Sequence, residues 1–266
     1  MIIPGVLETE LELALERLLR RDRAVVAVSL ASVVLIAWAY LLSGAGMEME
    51  AMDGMPMPAI ASWSPSYFAV MFAMWAVMMA AMMLPSAAPM ILLFSTISRR
   101  HFAQAGVAAT GVFTLGYVAI WAVFSLAATT LQWALGEAAL LSPAMKTSSA
   151  WLASALLIAA GLYQWTPLKQ ACLRRCRSPL DFVLSFWREG AWGGFVMGVR
   201  HALYCLGCCW ALMLLLFVGG VMSLAWIGGL AAFVLVEKTA PGGHWIGRAA
   251  GAALVVWGGV AVAALV

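Results

Sequence analysis

The chain has 266 residues, of which 65% are hydrophobic and only 10% are charged, and its formal net charge is +3. Uninterrupted apolar runs of membrane-spanning length recur along it, which excludes an ordinary soluble protein. Such runs form helices, because the backbone must satisfy its own polar groups in lipid. We therefore expect an all-α, polytopic transmembrane helical bundle with the lipid bilayer as its surroundings. The small positive charge reflects topology and does not indicate a nucleic-acid partner.

Residues 1–23 predict a cytoplasmic amphipathic helix, and residues 24–266 predict the transmembrane domain. About seven spans are expected: residues 24–42, 67–93, 104–131, a fourth that ends near 164, then 191–218, 223–236 and 246–266. Lys and Arg cluster in the segment 166–190, which the positive-inside rule assigns to the cytoplasm together with the N-terminus. This pattern indicates a multi-pass membrane protein. A cleaved signal in residues 1–45 is the alternative, but the long acid-containing leader favours an uncleaved anchor.

Methionine is concentrated in two places. Residues 43–62 form a predicted outer loop in which methionines alternate with carboxylates, and soft thioether sulfur suits Cu(I). A flexible linker is an equally good interpretation of this loop. In the second span, Met74, Met78 and Met82 share one helix face with Met71. Such a stripe is more often adaptable core packing than a ladder of ligands, and we include these three methionines among the candidate metal ligands.

Backbone irregularities are expected at two places in the spans. Pro85 and Pro89 should kink or unwind the end of the second helix. The fifth span is too long for one straight crossing, so it either tilts or breaks near Arg200 and Cys205. Close helix contacts are expected at small residues of two spans, namely Gly106, Gly111 and Gly116 in the third and Gly247 and Gly251 in the seventh.

All five cysteines lie between residues 163 and 210. They form two clusters, Cys172 with Cys176, and Cys205 with Cys208 and Cys209. At these spacings each cluster can direct two sulfurs to one point on a helix. Thiolates bind soft or borderline ions, so we predict a site for Cu(I), with Zn²⁺ as the alternative. His201, one helical turn before Cys205, is predicted to be a further ligand, or else a polar packing group.

Charged and polar neighbours surround both clusters. Three arginines, Arg174, Arg175 and Arg177, should favour the thiolate form of the first cluster. Arg200 is expected to pair with an acid, Glu237 being a candidate, or to reach the membrane interface. Tyr163, Gln164 and Lys169 frame the first cluster and are predicted to be structural anchors.

Four blocks of sequence carry a resemblance. They are Met74-Trp-Ala-Val-Met-Met-Ala-Ala-Met-Met-Leu-Pro85, Tyr163-Gln-Trp-Thr-Pro-Leu-Lys169 with Cys172 and Cys176-Arg-Ser-Pro179, Cys205-Leu-Gly-Cys-Cys-Trp210 with Met213, and Glu237-Lys238. Together they resemble a bacterial family of uncharacterised, predicted metal-binding integral membrane proteins. The resemblance covers nearly all of the chain after the first span. It implies an inner-membrane helical protein with a metal site.

Two classes of function follow from these residues. In the first, the protein handles Cu(I), which is gathered at the outer loop, passed along the methionine face and held by the cysteines. In the second, it is a membrane oxidoreductase whose cysteines cycle between dithiol and disulfide or hold a catalytic metal. The partners expected are a metal ion, a metallochaperone or redox partner, and another copy of the chain in a homo-oligomer.

Overall fold

The computed structural model describes residues 4–44, 49–52, 55–58, 63–101, 106–142 and 145–265. The all-α helical bundle is confirmed. Its helices are α1 (Pro4–Leu42), α2 (Pro65–His101), α3 (Gly106–Glu137), α4 (Ala150–Tyr163), α5 (Pro167–Arg177), α6 (Pro179–Phe186), α7 (Gly190–Leu214), α8 (Leu216–Gly219), α9 (Leu224–Thr239) and α10 (Gly243–Ala263). The methionine-rich segment contains a short antiparallel hairpin of β1 (Met49–Met52) and β2 (Met55–Pro58).

Five segments of the described chain are long and apolar enough to cross a membrane: Arg21–Leu42, Pro65–Arg99, Val107–Glu137, Gly190–Gly219 and Gly243–Ala263. The other two predicted spans correspond to α4 with 14 residues and α9 with 16 residues. Such helices are about 21–24 Å long at ~1.5 Å per residue, which is shorter than the ~30 Å hydrocarbon core of a bilayer. The count of seven spans therefore stays a prediction.

Large apolar side chains point outward on several helices. Examples are Leu35 and Ile36 on α1, Val123 on α3, and Val256 and Val260 on α10, all more than half exposed. A soluble monomer rarely exposes this much contiguous apolar surface. These faces are consistent with a helical bundle surrounded by lipid.

The bundle is held together where helix backbones approach closely at glycines. A Cβ added at Gly116 on α3 would collide with the backbone of Phe195 on α7, and one added at Gly198 on α7 would collide with that of Phe113. On the other side of the bundle, a Cβ at Gly251 of α10 would lie 2.8 Å from the carbonyl oxygen of Gly161 on α4. The predicted contacts of Gly116 and of the Gly247 and Gly251 pair are confirmed. The contact expected of Gly111 is wrong, because its Cβ position faces open space.

The expected unwinding at Pro85 and Pro89 is wrong, because both lie inside α2, which continues as a helix to His101. A kink at these prolines stays a prediction. Helix α7 is unbroken through Arg200 and Cys205, and the interruption comes at Leu215, between α7 and α8. The break expected near Arg200 and Cys205 is therefore wrong, and the second cysteine cluster lies on regular helical backbone. A tilt of this helix stays a prediction. Helix α1 likewise runs through the boundary expected at residue 23, and the division there stays a prediction.

Replacing Gly198 with alanine should destabilise the bundle, because its Cβ would overlap the Phe113 carbonyl and push α3 away from α7. Overpacking of this kind typically costs about 1–3 kcal/mol. The measurement is thermal or denaturant unfolding of the purified protein in detergent. Gly111→Ala on α3 is the matched control and should be neutral or slightly stabilising. Equal stability of the two variants would show that the α3 and α7 backbones are not in this contact.

Candidate metal site

The structure brings the two cysteine clusters together. Helix α5 crosses α7 at Gly207, where an added Cβ would lie only 2.7 Å from the Sγ of Cys172. The Tyr163 hydroxyl donates a hydrogen bond of 2.5 Å to the carbonyl oxygen of Gly207 at the same crossing. The missing side chain of Gly207 therefore lets the first cluster reach the second. Tyr163 acts as a structural anchor in this geometry.

The cysteines of α7 lie on its buried face. Cys205, Cys208 and Cys209 are all 1% exposed or less. The thiols of Cys208 and Cys209 each donate to the carbonyl oxygen of Cys205 at 3.0 Å. Thiol contacts also run from Cys176 to Cys208, from Cys208 to Cys209 and from Cys209 to Cys205. Four sulfurs from two helices thus form a continuous row, with Cys172 beside it.

Methionine joins this row at a position that the sequence analysis did not single out. The Cys209 thiol lies 3.9 Å from the Sδ of Met83 on α2. Met74, Met78 and Met82 are fully buried on the same helix and belong to the hydrophobic core. The predicted methionine face is therefore buried, and the thioether shown in contact with a cysteine is that of Met83. A ligand role for the other three stays a prediction.

A lysine lies against the sulfur row. The ammonium of Lys238, at the end of α9, donates to the Sγ of Cys205 at 2.9 Å and to the hydroxyl of Ser86 on α2 at 3.1 Å. The Tyr117 hydroxyl lies 3.0 Å from the same sulfur and 3.3 Å from the carbonyl oxygen of Met83. The Cys205 sulfur is thus in contact with polar groups from α3 and α9, and Ser86 of α2 binds the same ammonium. A positive charge is held in contact with a sulfur inside the bundle.

A buried ion pair lies next to Lys238. Lys169 of α5 forms an ion pair with Glu237 at 2.7 Å, and both side chains are almost fully buried. Lys169 also donates to Gln164, and Arg177 donates to the backbone carbonyls of Glu237 and Ala240. The expected pairing of Arg200 with Glu237 is therefore wrong, because Lys169 occupies that carboxylate. The guanidinium of Arg200 instead lies 3.9 Å from the centre of the Phe186 ring.

His201 lies in an aromatic environment on α7. Its ring packs near Phe113, Tyr117 and Phe182, with centroid distances of 6.3, 5.8 and 5.3 Å. The imidazole is 3% exposed, and its Nδ1 has no hydrogen-bond partner among the described residues. A buried polar atom without a partner is uncommon. Its role as a metal ligand stays a prediction.

The prediction that arginines favour thiolates at the first cluster is wrong. Burial, and then the neighbouring Cys208 sulfur, raises the pKa of Cys172 above its ordinary value. Contact with Cys208, and then burial, raises the pKa of Cys176 well above its ordinary value. The arginines contact other groups, since Arg177 binds backbone carbonyls and Arg175 lies over Phe186. Both thiols are therefore protonated at neutral pH in this arrangement.

The arrangement is rich in soft donors but is not a closed cage. Across the described ranges, no three side chains among His, Cys, Asp and Glu are already placed to hold a metal ion. Adjacent sulfur pairs are present instead, and one of them includes a thioether. Thiolate and thioether sulfur select soft ions such as Cu(I) over hard ones. Binding of such an ion at these thiols would require the loss of their protons.

The part of the chain that contains this site matches a known protein family. A sequence profile of the family PpoB2, described as a copper chaperone, matches residues 72–261. The chain belongs to this family. The matched region includes all five cysteines, Met83, Tyr117 and Lys238. Searches of curated proteins and of solved structures found no match. The family description supports copper handling in general, which the sequence analysis predicted from the methionine and cysteine residues.

Several residues of the site were missed by the sequence analysis. Tyr117 lies in a long apolar run, and only the packing of α3 against α7 shows where its hydroxyl points. Lys238 did carry a signal, since a charged residue at the end of an apolar helix is usually paired or functional. Its partner, Cys205, lies 33 residues away in the chain. Spacing within one helix cannot reveal such a contact.

The raised pKa values predict unusual cysteine reactivity at the first cluster. A thiol whose pKa is raised stays protonated until the pH exceeds the ordinary midpoint of about 8.5, and only the thiolate reacts. Alkylation of Cys172 and Cys176 by iodoacetamide should therefore be slow at neutral pH and should still be increasing above that midpoint. Mass spectrometry of the modified peptides measures both rates.

Two cysteine variants test why the pKa of Cys176 is raised. Cys208→Ser should move the pH profile of Cys176 down towards the ordinary value, because it removes the neighbour that raises the pKa. Cys209→Ser is the matched control and should leave that profile in place. A Cys176 midpoint at or below the ordinary value in the unmodified chain would contradict the arrangement of the two clusters.

Proposed function

We propose that this chain is a multi-pass copper chaperone of the bacterial inner membrane that receives Cu(I) and holds it on the buried sulfur row of Cys176, Cys205, Cys208, Cys209 and Met83. Membership of the copper chaperone family supports the cargo. Five segments long and apolar enough to cross a membrane support the location. The charge bias of the sequence supports a cytoplasmic N-terminus.

One observation carries the proposal. Sulfurs from α2, α5 and α7 converge in the interior of the bundle, although the two cysteine clusters are far apart in sequence. A buried cysteine alone behaves as a small hydrophobe. Sulfurs in mutual contact, next to a thioether and an ammonium, form a donor set for a soft cation.

The row divides into two overlapping binding places. Cys205 and Cys209 lie with Met83 in the interior, and Cys176 and Cys208 lie with Cys172 towards the basic segment predicted to face the cytoplasm. The contact between the Cys208 and Cys209 thiols joins the two. A Cu(I) ion can therefore pass from one pair to the other by exchange of one sulfur at a time. His201, with its unpartnered Nδ1, is a further ligand in this proposal.

The ammonium of Lys238 supplies the balancing charge. A Cu(I) ion bound by two thiolates carries a net negative charge, which is unfavourable in an apolar interior. Lys238 contacts Cys205 directly, so its charge offsets that of the complex. The methionines of α2, including Met74, Met78 and Met82, and the loop 43–62 deliver the ion to this place. Release on the cytoplasmic side to a metallochaperone completes the transfer.

The test is the metal content of the full-length protein after anaerobic loading with Cu(I). The unmodified chain should retain stoichiometric copper, and the triple variant Cys205→Ser, Cys208→Ser, Cys209→Ser should lose it, because the interior thiolates are gone. Met83→Leu should weaken Cu(I) binding by at least about 10-fold. Met90→Leu is the matched control, a buried methionine on the same helix, and should bind as the unmodified chain does.

Other outcomes of this experiment decide against the proposal. Retention of zinc but not copper would indicate a thiolate zinc centre. A chain that holds neither metal and isolates with a disulfide within the row would support the oxidoreductase hypothesis. In the structure all five cysteines are free.

Lys238→Met should weaken Cu(I) binding by about 10–100-fold, the usual loss when a group that supports metal ligands is removed. Lys238→Arg retains the charge and should recover most of the affinity. The measurement is competition with a Cu(I) chelator of known affinity. Equal affinities of the Met and Arg variants would show that the charge of Lys238 does not support the bound ion. Circular dichroism should confirm that both variants retain their helices.

A further inference from the structure

We propose that Met71 and Met145, on either side of the Gln132 amide, form a second and separate site for a soft monovalent cation, Cu(I) or its analogue Ag(I). The site lies on the face of the bundle where α2 begins and α3 ends. It rests on the proposed function for the identity of the ion. Its ligands are thioethers, and it shares none with the cysteine row.

Two sulfurs converge on one nitrogen. The Nε2 of Gln132 donates to the Sδ of Met145 at 3.2 Å and to the Sδ of Met71 at 3.6 Å. Both sulfurs therefore present lone pairs to the same point, which places them side by side. All three side chains are buried, at 6%, 0% and 2% exposure for Met145, Met71 and Gln132.

The orientation of the amide is set by a third residue. The indole Nε1 of Trp75 donates to the Oε1 of Gln132 at 2.6 Å. This bond directs the carbonyl to Trp75, so the NH₂ group faces the sulfurs. Thioether sulfur is a weak acceptor, whereas burying an amide is costly without good hydrogen bonds. Because N–H···S hydrogen bonds are weak, the lone pairs of the two sulfurs are held only loosely and are available to a soft cation.

The loop after α3 holds Met145 in this place under strain. Its φ angle is +52°, in the left-handed region that non-glycine residues seldom adopt. Backbone hydrogen bonds hold Met145 and its described neighbours, from Met145 N–H to Ser142 at 2.8 Å, from Val221 N–H to Met145 at 3.4 Å, and from Thr147 N–H to Phe217 at 2.8 Å. Strain of this kind persists where surrounding contacts over-determine it. The loop therefore keeps the Met145 sulfur directed inward over Met71.

The position suits an ion on its way to the cysteines. Met71 lies in the second turn of α2, soon after the methionine-rich residues 47–57. Met83 follows twelve residues later, a distance of about 18 Å along the helix at ~1.5 Å per residue. Met74, Met78 and Met82 fill the interval. The two sites thus lie at the two ends of the stretch from Met71 to Met83.

The chemistry defines what such a site takes. Thioethers are neutral and carry no proton, so a cation binds them without releasing one, unlike the thiols of the cysteine row. The site should therefore bind at acidic pH as well as at neutral pH. Soft Cu(I) and Ag(I) fit these donors, whereas Zn²⁺ prefers thiolate, imidazole and carboxylate.

The experiment is a titration of the full-length protein with Ag(I), followed by NMR of methionine ¹³C-methyl groups. The variants Met71→Leu and Met145→Leu assign the two signals. Both signals should shift together, at pH 7 and at pH 5, and in Met71→Leu the shift of Met145 should be lost. Met90→Leu is the control and should leave both shifts intact. Zn²⁺ should move neither signal.

The result for Met71 and Met145 can be distinguished from the result for Cu(I) binding at the cysteine row. Two signals that do not move with Ag(I), or a Met145 shift that persists unchanged in Met71→Leu, would overturn this site even if the cysteines bind copper. Shifts of both signals in a chain whose cysteines bind no Cu(I) would support the site and reject the proposed function. Each leucine substitution nearly conserves volume, and a thermal unfolding measurement checks that the fold is retained.

Discussion

The contact between the Lys238 ammonium and the Cys205 sulfur is the interaction on which the arrangement of this interior depends. A buried ammonium is costly unless charged or polar groups surround it. Here the thiol of α7 and the Ser86 hydroxyl of α2 supply those partners. Three helices must therefore meet at one place. The sulfur row lies where these three helices meet.

Glu237, the residue before Lys238, connects α9 to a different helix, α5. Glu237 binds Lys169 of α5, and Arg177 of α5 binds the backbone at the same turn. Removing one member of a buried ion pair commonly costs about 3–5 kcal/mol, because the other charge stays behind. Two consecutive residues at the end of α9 thus tie α5 and α7 together. This is why cysteines from a short polar helix and from a long apolar helix lie in contact.

The sulfur chemistry of the bundle changes with position. Near the start of α2 the donors are neutral thioethers beside an amide, and in the interior they are thiols beside an ammonium. Thiols become stronger ligands on losing a proton, whereas thioethers do not change. In the proposed function a soft ion would therefore move towards the cysteines without an external energy source. The glycine crossings of α3 with α7 and of α4 with α10 keep the helices close enough for these contacts.

The sequence by itself determined the fold class, the approximate places of the helices and the residue types of the candidate site. Length and apolarity are local properties, so helices such as α2, α3 and α10 were predictable, and so was the grouping of the cysteines by spacing. Only the tertiary structure decided that Pro85 lies within a continuous helix, that Cys176 meets Cys208, and that Met83 is the thioether beside Cys209. The tertiary structure likewise decided that Lys238 of α9 and Tyr117 of α3 contact Cys205 of α7. Such contacts depend on how the helices pack and on which charged groups must pair when they are buried. The spacing of residues within one segment predicts neither of these.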